Sequence, residues 1–92
     1  PLRMLGLCLE LSNLITLIVN KINLNTTSDI SVALDLLEAS SKGAFSNILI
    51  NLKEIQDSKY KNETFKKSEN IKNKIIRTCR KNEIIINNIL NE

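Results

Sequence analysis

The residues able to do chemistry in this chain are few, and the first fact about them is an absence. There is no histidine among the 92 residues, which removes the commonest general base, proton shuttle and metal ligand together. Ser-His and Cys-His nucleophilic pairs are therefore impossible, and two cysteines without histidine do not make an ordinary zinc site. What remains is a carboxylate pair, Asp35 and Glu38, spaced i and i+3 so that a helix would place them on one face. A solvated polar face explains that spacing better. Taken alone, the sequence reads as non-enzymatic, with no catalytic residue, no metal site and no cofactor.

Cys8 and Cys79 are the sharpest pair. In an oxidising compartment they could close a loop of about seventy residues and stabilise by about 3–5 kcal/mol. As reduced thiols they would act as small buried hydrophobes. Geometry bears on the choice. With antiparallel first and last helices the two lie about 12 Å apart along the axis, and with parallel ones about 17 Å. A bridge thus favours four segments over three, and both thiol states stay open.

A helical stretch of about seventy residues with one cysteine near each end resembles the secretoglobins. Leu7-Cys8-Leu9 at one end and Thr64 to Cys79 at the other carry the likeness. The resemblance implies a small secreted four-helix protein that dimerises and encloses a hydrophobic cavity.

Other candidate features are weaker. Asn25-Thr26-Thr27 and Asn62-Glu63-Thr64 are N-glycosylation sequons, and both fall in expected links. Lys67, Lys74, Arg77 and Lys81 share one face of the last helix. No aromatic is interleaved with them, and Glu63, Glu69 and Glu83 dilute the field, so nucleic acid is not the expected partner. Residues 1–60 carry five basic and six acidic side chains, against eight and four in residues 61–92. The net charge is +3.

The elements that must position these residues follow from missing breakers. Pro1, Gly6 and Gly43 are the only prolines and glycines, so the tight turns that sheets need have few places to form. The expectation is an all-α, up-and-down helical bundle in a single domain, residues 1–92. A first helix over Met4–Leu24 carries Leu7, Leu11, Leu14, Ile18 and Ile22 at three- and four-residue steps. It is apolar enough to sit at the centre, or to turn surplus surface to a partner. Glu10 and Asn13 argue against its crossing a membrane, and no small-residue cleavage site makes it a signal peptide. A start at Pro1 hints that an upstream segment has been removed.

Residues 25–29 read as a link with N-cap candidates from Thr27 to Asp29. The next stripe runs through Ile30, Leu34, Leu37, Ala44, Ile48, Leu52 and Ile55. A break is expected at Ser40–Gly43, giving four helical segments; three result if residues 29–58 form one bent helix, since Leu37 and Ala44 keep heptad phase. Asp57–Glu63 reads as a second link, with Ser58, Asn62 and Thr64 as capping candidates. A last helix then spans Thr64–Leu90.

By subtraction, the function expected is a secreted helical protein that binds another protein or self-associates as a homodimer. One alternative is a carrier of a small apolar ligand. Another is a cytosolic basic regulator touching nucleic acid or a membrane surface, the compartment implied if the cysteines are reduced.

Overall fold

The computed structural model describes residues 1–19 and 24–91, with side chains from residue 26 onward in the second stretch. Three helices make up the described residues, without a strand: α1 over Leu2–Ile18, α2 over Leu24–Leu52 and α3 over Ser58–Leu90. Each packs against both others. The result is a rod-like up-down-up bundle with extents of 53 × 18 × 15 Å. The all-α bundle is as expected, in its three-helix form.

The break expected at Gly43 does not occur. Gly43 has no positive φ, and α2 runs through it for 29 residues, about 43 Å. Ser40-Ser41 looks like turn chemistry because serine offers the backbone a non-helical partner. Here that competition is resolved inside the helix: the buried Ser41 hydroxyl donates to the Glu38 carbonyl at 2.8 Å. Ser12 does the same to Leu9 (2.8 Å) and Ser68 to Thr64 (2.7 Å). All three serines are fully buried. With their hydroxyls satisfied locally, they serve as small packing residues.

The expected links also shrink. α2 begins at Leu24, so Thr27–Asp29 are not its cap. α3 begins at Ser58, six residues earlier than the apolar periodicity suggests. Its cap is Asp57, whose carboxylate accepts from the backbone N–H of Lys59 and of Tyr60, both at 3.1 Å. An acceptor at that position satisfies two of the donors a helix start leaves open. The polar run after it contains no breaker and simply continues as helix.

The core is aliphatic. Leu5, Leu34 and Ile75 are fully buried and Ile86 nearly so, joined by Cys8, Val19, Leu37, Ala44, Ile48, Leu52 and Cys79. Burying a leucine or isoleucine this completely contributes about 1.5–3 kcal/mol. Phe45 and Phe65 meet at the α2–α3 seam with ring centroids 5.9 Å apart. Lys72 Nζ lies 4.4 Å from the Phe45 ring centre, an arrangement that favours the cation.

α1 is not the wrapped, central helix. Leu5, Cys8 and Ser12 face the bundle, whereas Leu7, Leu11, Leu14 and Ile18 are 46–56% exposed and Leu17 is 70% exposed. The other alternative for that apolar excess, a face turned outward, is what the bundle presents. Ile22 lies outside the described residues.

Candidate functional site: an apolar outer groove and a polar α2–α3 cluster

Two regions of the surface are built from more than scattered side chains. The first lies along the outside of α1 and α2. Met4 of α1 lines a concavity with Ser40, Gly43, Ala44 and Asn47 of α2. That contact fixes the sides on which the two antiparallel helices face each other. From it, Leu7, Leu11, Leu14 and Ile18 continue up α1, while Leu36 and Val32 continue down the facing side of α2. Val32 and Leu36 are 58% and 62% exposed. The walls are thus uncharged, apolar along α1 and mixed along α2, and the groove is open to solvent.

The second region joins α2 to α3. Glu38 Oε1 accepts from Arg80 Nη2 at 3.3 Å and pairs with Lys42 Nζ at 3.3 Å. Beside it, Glu83 lies close enough to Asp35 for the two carboxyl groups to act on each other. Burial raises the Glu83 pKa above the usual carboxylate range, and the Asp35 carboxyl pushes it further the same way. The spacing of Asp35 and Glu38 was visible in the sequence, but their partners 42 and more residues away were not. No group of three or more cysteine or acidic side chains among the described residues could hold a metal ion.

Cys8 and Cys79 belong to one core cluster and stand as free thiols. Burial raises both pKa values, that of Cys79 to about 11, with the nearby acidic groups, Glu38 foremost, adding to the effect. The 17 Å offset expected of parallel helices is too large. Asn82 Nδ2 donates to Thr16 Oγ1 at 2.9 Å across 66 residues, so Cys8 is level with residue 74. Cys79 is five residues on, about 7–8 Å along the axis. By the same offset Leu2, where α1 starts, is level with Ser68, so the first ten residues of α3 run past the start of α1, and that overhang accounts for the difference.

The remaining candidates separate. Lys67, Lys74, Arg77 and Lys81 are all exposed on α3. Lys74 and Arg77 line a cleft with Leu9, Asn13 and Thr78, so the basic face borders α1. Both sequons fall within helices rather than links: Asn62 is exposed in α3, and Asn25 lies in the first turn of α2, its side chain outside the described residues.

The family model described as formiminotransferase-cyclodeaminase matches residues 1–70. The chain belongs to that family. Formimidoyltransferase-cyclodeaminase of Gallus gallus is 50% identical over 42 residues, 46% of this chain and 8% of the chicken protein. The chain therefore corresponds to a small part of that relative's length. No solved structure matches.

Membership of the formiminotransferase-cyclodeaminase family overturns the secreted binding protein, and with it the secreted location, the glycoprotein and the apolar-ligand carrier. The secretoglobin likeness rested on two cysteines flanking helices, a pattern that any bundle with two core thiols satisfies. The expectation of a protein unconnected with catalysis also gives way, since the family is one of enzymes. No described helix is long and apolar enough to cross a membrane.

Proposed function

We propose that the chain serves a formiminotransferase-cyclodeaminase-type enzyme as a helical packing and assembly element. The observation that carries this reading is where the family match falls. Residues 1–70 take in all of α1 and α2, and hence both walls of the outer groove. Arg80 and Glu83, which complete the polar cluster, lie beyond it. The matched segment of this chain forms a helical hairpin with one apolar face turned inward and another turned out. An apolar surface of this extent on a small bundle marks a place where protein packs on protein. Its partner is another protein surface, and a homodimer is the simplest arrangement that covers it.

A graft tests the reading. Residues 1–70 replace the matching segment of the chicken enzyme, and formimino transfer and ammonia release are assayed. The proposal expects a soluble graft that keeps both activities. A folded graft that has lost them argues against it.

A further inference from the structure

We propose that the cleft between α1 and α3 is a phosphate-binding site, in which Lys74, Arg77 and Thr78 of α3 and Asn13 of α1 hold the phosphate group of a small molecule. The inference stands apart from the assembly reading. It concerns another side of the bundle, and its three α3 residues lie beyond the stretch that the family model matches.

Position is the first argument. The bond from Asn82 to Thr16 sets α1 and α3 side by side, so that Leu9 is level with Ile75 and Asn13 with Cys79. Lys74, Arg77 and Thr78 then fall beside one turn of α1. Together with Leu9 and Asn13 they line a cleft of about 380 Å³. Leu9 supplies an apolar wall, and the other four side chains are polar or cationic.

Unused bonding capacity is the second argument. Lys74 and Arg77 bring two positive charges to the cleft, and its lining holds no carboxylate. Glu10 on α1 and Glu69 on α3 flank it without pairing with either cation. The ion pairs among the described residues are those of Lys42 and Arg80 with Glu38. Thr16 and Ser68 turn their hydroxyls to a carbonyl one turn back. Among the described residues, the Thr78 hydroxyl and the Asn13 carboxamide have no such bond. Like charges at i and i+3 repel on a helix. An anion between Lys74 and Arg77 relieves a repulsion that the bundle itself leaves in place.

Chemistry selects the ligand. A guanidinium offers parallel N–H donors that match two oxygens of a phosphate, and the Lys74 ammonium adds a point charge. Asn13 and Thr78 each have a further hydrogen bond to donate. Donors coming from two helices suit a tetrahedral oxyanion better than a flat carboxylate. Lys67 and Lys81 stand seven residues to either side of Lys74, about 10 Å along α3. They are too far to touch the same group, but they deepen the positive field that draws it in. A metal cation would meet only repulsion.

Amide chemical shifts of the isotope-labelled 92-residue chain, followed during titration with inorganic phosphate at constant ionic strength, test the site. Saturating shifts are expected over Leu9–Asn13 and Lys74–Thr78, with half-saturation on the order of 1–10 mM for two exposed cations. Lys74→Gln and Arg77→Gln should each weaken binding about fivefold or more, and the double substitution should abolish saturation. Both positions are exposed, so shifts away from the cleft should stay in place. Lys61→Gln removes the same charge beside a separate cleft between α2 and α3. It should change the affinity less than about twofold. Methyl phosphate binding as well as inorganic phosphate assigns the site to phosphate esters, and binding of inorganic phosphate alone assigns it to the free ion. Shifts that never saturate, saturation indifferent to both cation substitutions, or acetate binding as tightly as phosphate would overturn the proposal.

Discussion

Asn82 Nδ2 donates to Thr16 Oγ1 across the α1–α3 interface at 2.9 Å, while Asn82 Oδ1 has no partner. The residue is fully buried, and its single interhelical bond sets the 66-residue offset between two parallel helices. Such a group fixes register at a cost in stability, because an unpaired buried acceptor costs about 1–3 kcal/mol. Asn82→Leu, close in volume and without the orphan oxygen, should raise the unfolding free energy by about 1 kcal/mol in urea titration. Thr16→Val should lower it by about as much, since it strands the Nδ2 donor as well. A loss of stability in Asn82→Leu would mean that the bond is worth more than the orphan oxygen costs.

Asp57 alone caps α3 through a side chain, with two backbone donors on one carboxylate oxygen. Asp57→Ala should therefore cost about 0.5–2 kcal/mol, with amide exchange quickening first over the opening turns of α3. Uniform exchange along α3 would show that packing, not the cap, holds that end.

Gly43 sits inside α2 without a positive φ and with free space where a Cβ would lie. Gly43→Ala should stabilise the isolated bundle by about 0.5–1 kcal/mol. A loss of stability would mean that α2 bends or breaks there after all.

Glu83 holds its proton more tightly in the folded chain than in the unfolded one, through burial and the Asp35 carboxyl. A raised folded pKa gives stability that is full below the ordinary value and fades as pH climbs through the raised one. Glu83→Gln keeps a donor toward Asp35 and cannot ionise. It should match the wild type near pH 4 and exceed it at neutral pH in thermal unfolding. Parallel profiles across that range would remove the raised Glu83 pKa from the account.

Cys8 and Cys79 are buried, and with its pKa near 11 Cys79 is almost wholly protonated at pH 8. The thiolate is the reactive form. Iodoacetamide should label neither cysteine in the native chain and both in urea. Immediate labelling of Cys79 in the folded protein would contradict its place in the core.

How much of this was legible in the sequence differs by element. The scarcity of glycine and proline foretold helices, and the Leu37–Ala44 phase foretold that α2 could pass Gly43. What misled were residues with two local uses. Ser40-Ser41 and Asp57–Glu63 suit turns as well as helices, and only burial of Ser41 and the cap at Asp57 decide. The stripe of Leu7, Leu11, Leu14 and Ile18 was plain, but its outward direction depends on which of α1's two apolar faces α3 covers. Contacts between distant residues, Glu38 with Arg80 and Thr16 with Asn82, leave no mark on local spacing. Nor did periodicity carry the family, which shows only when residues 1–70 are set against related chains.

The most direct test of the account is ammonia release by the chicken enzyme carrying residues 1–70 of this chain, with and without Leu11→Asp. The account predicts an active graft with wild-type Leu11, and a folded graft with sharply reduced activity and disturbed assembly when Leu11 is Asp. Equal activity in the two would contradict an assembly role for the outer groove, and a folded but inactive wild-type graft would contradict the family role itself.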